Sequence, residues 1–237
     1  MTAHAILDNR THADLRIRSE AGEGFGDAVM SSLVMPNEFR QVQAHYPIVF
    51  RLDTASGDFS AHALFGFDAG ENLFLEGDRW DARYRPLAIA VQPFLIGRSQ
   101  GDGAAQVHVD LGSPRISHSD GIRVFDADGR ETPYLERMAE LLGLLDEGYR
   151  ASAAFFEALR RHDLLEPFTL EIPLDDGSKN RLIGFHAIDE ARLQALDPQT
   201  LGQLHEDDHL LPIFMALASL TNIGELVARK NRRTGHG

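Results

Sequence analysis

The sequence predicts an α+β fold: a largely antiparallel, β-rich N-terminal two-thirds, a long central helix, a late hairpin and two C-terminal helices. Three observations predict it. Before residue 130 the chain runs in short apolar stretches broken by Gly, Pro, Asp and Ser. From Thr132 to Arg161 apolar residues recur at helical spacing. Strands precede helices instead of alternating with them, which argues against a doubly wound parallel sheet.

Candidate strands fall at 13–18, 48–53, 61–67, 72–76, 87–98, 106–111 and 122–126. Gln106-Val-His-Val-Asp-Leu111 alternates strictly, so Val107, Val109 and Leu111 are expected inward, with His108 and Asp110 on the solvent side. A short helix is expected over 35–44, entered at Pro36 in its first turn. Asp126-Ala-Asp-Gly129 carries the side-chain and glycine chemistry of a tight reversal. Thr132 is a good N-cap, Pro133 suits the first helical position, and Glu136 lies near the positive helix end. Leu135, Met138, Leu142, Leu145, Tyr149, Ala153 and Phe156 then form one apolar stripe. Strands at 168–174 and 181–188 flank Asp175-Asp-Gly-Ser178, a hairpin signal. Helices at 190–206 and 209–230 close the chain. No Pro/Gly/Ser-rich linker divides it, so one domain over 1–237 is expected, with a sub-division near 130 into β-rich 12–130 and helix-rich 131–233. Ala63-Leu-Phe-Gly-Phe67 and Arg181-Leu-Ile-Gly-Phe185 each end in Gly-Phe, an echo that either duplication or coincidence would leave.

Composition narrows the function classes. Across 237 residues, 23 basic side chains face 36 acidic ones, a net charge of −13. Phosphate backbones and anionic membranes select basic surfaces, so no nucleic-acid partner is expected. The absence of cysteine excludes disulfides, thiolate metal sites and cysteine nucleophiles. The N-terminus carries no apolar core with a small-residue cleavage site, which favours a cytoplasmic location. The longest apolar run, 210–220, is shorter than the roughly 20 residues of a membrane span and reads as a buried helix.

The most distinctive stretch lies between Val34 and Phe94. Its landmarks are Asn37-Glu-Phe39, His45-Tyr-Pro-Ile-Val-Phe50, Gly70-Glu-Asn-Leu-Phe74, Trp80, Tyr84-Arg-Pro86 and Gln92-Pro-Phe94. Val109-Asp110, Ser113-Pro-Arg115, Phe125-Asp-Ala-Asp-Gly129, Leu182-Ile-Gly-Phe185, Ile188-Asp189 and Ala218-Ser-Leu220 continue it. This pattern resembles the SapC-like family of bacterial proteins, named after a surface-layer-associated protein, over nearly the whole chain after residue 30. The resemblance implies a link to envelope, surface-layer or nutrient-uptake systems. It carries over no catalytic residue, and the permease label often given to relatives conflicts with a chain read as having no membrane span. At 88–91, where many relatives are more basic, this chain is apolar, which argues against a ligand held there by positive charge.

Several residue groups bear on chemistry. Glu71 and Asn72 with Arg79, Trp80 and Tyr84 combine a flat apolar surface with orienting polar groups, the make-up of a small-ligand pocket, and Glu38 is a candidate for its border. The competing reading makes Trp80 and Tyr84 core anchors and Glu71-Asn72 a turn. His108 and Asp110 with His186 have the composition of an Fe(II) facial triad. Against that, the strand pattern turns His108 and Asp110 to solvent, and Leu196 stands where a 2-oxoglutarate enzyme carries a basic residue. His205, Asp207, Asp208 and His209 read either as a zinc-holding helix face or as a turn whose aspartates cap the next helix. No G-x-S-x-G elbow is present, and the glycine-rich stretches at 22–26 and 97–103 lack the strand-to-helix setting of phosphate loops. Arg229-Lys-Asn-Arg-Arg233 either meets an acidic partner or complements the last helix end. The expected function is a non-catalytic, cofactor-free accessory protein that binds a small molecule or protein partner. The alternative is a non-haem Fe(II)-dependent oxygenase using His108, Asp110 and His186. Nothing in the sequence indicates an oligomeric state.

Overall fold

A computed structural model describes residues 4–98, 105–175, 177 and 179–235. The strands are β1 (His4–Ile6), β2 (Arg16–Ile17), β3 (Ser31–Val34), β4 (Ile48–Leu52), β5 (Phe59–Leu64), β6 (Leu75–Glu76), β7 (Arg79–Trp80), β8 (Phe94–Arg98), β9 (Ala105–Asp110), β10 (Ile116–Ser117), β11 (Ile122–Arg123), β12 (Leu165–Pro173) and β13 (Lys179–Ile188). The helices are α1 (Phe39–Val42), α2 (Leu87–Ala90), α3 (Pro133–Arg161), α4 (Glu190–Gln194), α5 (Pro198–Glu206), α6 (Leu210–Ser219) and α7 (Ile223–Thr234). All the ladders between these strands are antiparallel, so the α+β reading stands. Two compact units share the chain. The first comprises Met1–Ala28, Leu75–Asp81 and Leu87–Glu147; the second comprises Val29–Phe74, Ala82–Pro86 and Gly148–Gly237.

The first unit holds sheets β1-β9-β8 and β10-β2-β11 and the β6-β7 ribbon, and a core that includes Leu15, Ile17, Phe94, Val109, Val124, Leu135 and Leu142. Val109 points inward as its alternation requires, and Val107 packs at the edge of that core. Leu111 does not: the ladder stops at Asp110, whose Oδ1 accepts the Gly112 N–H at 3.0 Å, and the resulting turn leaves Leu111 40% exposed. The apolar run at 87–98 is not one strand. Leu87–Ala90 closes a helical turn, with the Val91 N–H donating to the Leu87 carbonyl at 3.0 Å, and the Gln92–Pro93 peptide is cis before β8 begins. Residues 12–15 form a turn, so only Arg16–Ile17 of the expected first strand is laddered.

The long helix begins where Thr132 and Pro133 place it. Its first half buries Leu135, Met138 and Leu142 in the first unit. Its second half buries Ser152, Phe155 and Leu159 in the second, one position out of step with the expected Tyr149, Ala153 and Phe156. The slip occurs at Gly148, where a Cβ would lie 2.5 Å from Asn37 Oδ1, so a residue without a side chain takes the inward position. Tyr149 is left 65% exposed. Phe155 meets the buried Phe39 edge-to-face at 6.0 Å, a geometry worth about 0.5–1.5 kcal/mol beyond its burial.

The second unit is built on a five-stranded sheet in the order β12-β13-β4-β5-β3. The expected hairpin is β12-β13; Asp176 and Ser178 of its turn, like residues 99–103 of the second glycine-rich stretch, lie outside the described residues. The two Gly-Phe pairs do different work. Gly184 adopts φ 84° at the bulge in β13, whereas Gly66 leaves room for the Glu71 carbonyl, which a Cβ would approach to 2.7 Å. The helix expected over 190–206 is two helices: Asp197 Oδ1 accepts the Gln199 and Thr200 N–H groups at 2.8 and 3.0 Å, and Pro198 starts the second.

The apolar run near the C-terminus is longer and more exposed than the expected buried helix. Leu210–Thr234, with a 3₁₀ turn at Leu220–Asn222, is long and apolar enough to cross a membrane, and 28% of its most apolar stretch is buried. Ser219 nonetheless fastens it to the sheet, its Oγ accepting the Ile48 N–H at 2.8 Å and donating to Ala216 at 2.6 Å.

Candidate functional site

Glu38, Glu71, Asn72 and Tyr84 belong to the second unit, Arg79 and Trp80 to the first. The 3₁₀ turn Pro36–Glu38 buries Glu38, whose Oε1 accepts the Met35 N–H at 3.0 Å and whose Oε2 accepts the Tyr84 hydroxyl at 2.7 Å. Burial, then the charge of Glu38, pushes the Tyr84 phenol well above its ordinary pKa. The Tyr84 carbonyl accepts the Tyr46 hydroxyl at 2.6 Å, and Tyr46 packs edge-to-face on Phe65 and Phe74.

Glu71 sits in the turn after Gly70, which holds φ 80°. Its Oε2 accepts the Phe67 N–H at 2.9 Å and its Oε1 takes Lys230 Nζ at 2.6 Å; Asp68 takes the same ammonium at 2.8 Å. Burial would lower the Lys230 pKa, but the bonds to Asp68 and Glu71 outweigh it and hold the amine above its ordinary value. Asn72 is buried and its Oδ1 accepts the Phe74 N–H at 3.0 Å. The Arg229 guanidinium lies 4.4 Å from the Phe74 ring centroid. Two of the four tail cations are therefore folded against their own unit. In the first unit, Trp80 is 8% exposed opposite Leu75 in the ribbon, while the exposed Arg79 pairs with Glu76 and Asp81.

The metal candidates have separate local roles. The His108 ring covers Gly97, where a Cβ would meet it at 2.0 Å, and Asp110 closes the turn to Gly112. His186, in the second unit, stands edge-to-face on Phe59 at 5.1 Å, and burial lowers its pKa. Among the described residues no group of three or more His, Asp or Glu is placed to hold a metal ion. Asp207 and Asp208 do not cap the next helix either. Its N-cap is His209, without a side-chain bond, while Asp207 takes Gln203 Nε2 and Asp208 forms the reversal at φ 59°.

The sequence reading missed two features. In the first unit Arg115 and Asp27 form a fully buried ion pair. In the second, β3, β5 and the second half of α3 enclose a groove of about 460 Å³. Val34, Met35, Ala61, Phe59 and Phe156 supply apolar lining, and Asp58, Arg150, Glu157 and Arg160 supply charges of both signs. The aromatic residues Tyr149 and Phe156, read as core stripe, line this groove together with Ala153. Ser60 Oγ, also in the lining, lies 3.1 Å from His62 Nε2. Burial, then the charge of Arg51, depresses the His62 pKa to about 4. An imidazole so reluctant to take a proton is a poor general base for that serine.

A family model described as SapC matches residues 7–226. The chain belongs to the SapC family. No curated protein and no solved structure matches it. Several landmarks of this SapC-family chain are polar anchors, buried at Glu38 on Tyr84, Asn72 in its turn and Arg115 on Asp27, and half-buried at Glu71 on Lys230. The groove residues on α3 carry no such landmark. The signal available for them was an aromatic pair, Tyr149 and Phe156, seven residues apart, which the helical spacing assigned to the core stripe.

Proposed function

We propose that this SapC-family protein is a non-catalytic accessory that binds a small amphipathic molecule in the groove of its second unit. In this reading it acts in the cytoplasm, in support of envelope, surface-layer or nutrient-uptake systems. The groove itself carries the proposal: an apolar floor rimmed by two arginines and two carboxylates is the make-up of a small-ligand site. The protonation-resistant His62 beside Ser60 supports binding over hydrolysis.

The probe for the test is anilinonaphthalene sulfonate, an aromatic anion. Saturable one-to-one fluorescence enhancement is expected with the folded protein and is expected to fall at least tenfold in Ala153→Trp, which fills the groove. Binding unchanged by that substitution, or no binding, overturns the site. Recovery of the native protein from the membrane or extracellular fraction overturns the cytoplasmic placement.

A further inference from the structure

The exposed face of the C-terminal helical segment has a regular spacing. Leu211, Phe214, Ala218, Thr221, Glu225, Ala228 and Arg232 follow one another at alternating steps of three and four. All are exposed except Ala228, which is half-buried, and Leu211 and Phe214 reach 54% and 48% exposure. Steps of three and four keep these residues on one helix face, apolar at Leu211, Phe214 and Ala218 and charged at Glu225 and Arg232. The opposite face, with Ile213, Ala216, Ser219 and Leu226, is the one buried in the unit.

The ends of this seam carry opposite charge. Asp207 and Asp208 are exposed where it begins, and Arg232 and Arg233 are exposed where it ends. Ala218 and Thr221 at its middle are small enough for close approach of two backbones. Glu225 is held by Arg229 at 3.2 Å and Arg232 at 3.0 Å, which offsets its charge within the seam. Beside the acidic end lies a second groove of about 340 Å³, lined by Phe155, Leu211, Pro212 and Met215 with Asp207 and Asp208.

We propose that this face pairs with the same face of a second copy, antiparallel. The two-fold axis passes between Ala218 and Thr221, and Leu211 and Phe214 pack toward the second copy's Ala228 and Glu225. The basic end of each copy meets the acidic end of the other. A parallel pair would set like charges together, which is why the charge pattern selects the antiparallel one. A C₂ contact of this kind is self-complementary and closed.

Sedimentation velocity on the full chain at micromolar concentration is expected to give twice the chain mass of 26.3 kDa. Phe214→Ser is expected to give the monomer with an unchanged circular-dichroism spectrum. Asp207→Lys with Asp208→Lys, and Arg232→Glu with Arg233→Glu, are each expected to weaken association at least tenfold. Mixing these two double variants is expected to restore a dimer, because the all-basic seam ends of one then meet the all-acidic ends of the other at both ends. A monomeric wild type, dimerisation indifferent to Phe214→Ser, or failure of the mixed variants to associate overturns the proposal. A wild type that stays monomeric yet co-sediments with anionic phosphatidylglycerol vesicles overturns it in favour of a lipid surface.

Discussion

Arg115 donates from one guanidinium nitrogen to both carboxylate oxygens of Asp27, each at 2.7 Å, with the two side chains 2% and 0% exposed. The other terminal nitrogen donates to the carbonyls of Arg18 and Glu20 at 3.1 and 2.8 Å, and Asp27 also accepts the Gly22 N–H at 2.9 Å. One pair thereby fixes two loops of the first unit. Removing one partner strands the other charge out of water. Arg115→Met is expected to destabilise the protein by about 3–5 kcal/mol, and the double substitution with Asp27→Leu by less than the single one. Urea denaturation of the three variants checks this; equal losses for single and double would contradict it.

His62 gives stability a pH dependence of known sign. Its pKa is depressed in the folded state to about 4, so the unfolded chain takes up the proton first. The stabilisation is complete above pH 6.5, the unfolded value, and is lost as pH falls toward 4, by roughly 3 kcal/mol over that window. His62→Gln is expected to flatten the decline. Denaturation midpoints at pH 7 and 4.5 for both proteins would show it, and parallel declines would rule His62 out as the source.

Tyr84 and Glu38 form a half-buried donor–acceptor pair whose members constrain each other. Tyr84→Phe takes one hydrogen-bond donor from a buried carboxylate and is expected to cost about 1–3 kcal/mol. Glu38→Gln is expected to cost as much, because the Met35 N–H and the Tyr84 hydroxyl lose a charged acceptor. In the native protein the phenol stays protonated when ordinary tyrosines ionise, and stability declines as pH rises past about 10. Ultraviolet titration at alkaline pH checks this: Tyr84→Phe should remove one late-ionising phenol from the native curve and leave its early phase unchanged.

Gly66→Ala sets a Cβ at 2.7 Å from a backbone carbonyl, which cannot swing away as a side chain does. The expected cost is about 1–3 kcal/mol, together with displacement of Glu71 from Lys230. Gly184→Ala meets open space but keeps φ 84°, so its cost is limited to about 1–2 kcal/mol of backbone strain. Thermal unfolding with a Lys230→Met background separates them: only the Gly66 substitution should lose part of its effect when Lys230 is already gone.

Local signals made the hairpin and the long helix legible. Thr132-Pro133 and the turn glycine at 177 act within a few residues, and their physics needs no distant partner. The errors arose where distant partners decide. Leu87–Ala90 is apolar enough for a strand, yet it closes a helical turn that buries Leu87 and Ile89. The stripe on α3 slipped because Asn37, far away in sequence, favours a bare backbone at Gly148. Glu38 and Tyr84 were both singled out and do meet, 46 positions apart, while Arg115 and Asp27 stand 88 apart and no periodicity links them. The groove was hidden for the same reason: two strands and a helix build it, and each of its residues taken alone reads as an ordinary surface or core position.

The order of the central sheet has a consequence for synthesis. β4 takes β5 as a neighbour a few residues later, but its other neighbour, β13, is translated more than a hundred residues after it. At about 5–20 residues per second, the backbone edge at Phe50 and Arg51 waits on the order of ten seconds before His186 and Phe185 arrive to cover it. During that interval the nascent chain presents an apolar strand with unpaired amides, the usual template for edge-to-edge aggregation. Ribosome-associated chaperones are thus expected to engage this chain between completion of β5 and emergence of β13, and premature termination in that window should yield insoluble fragments.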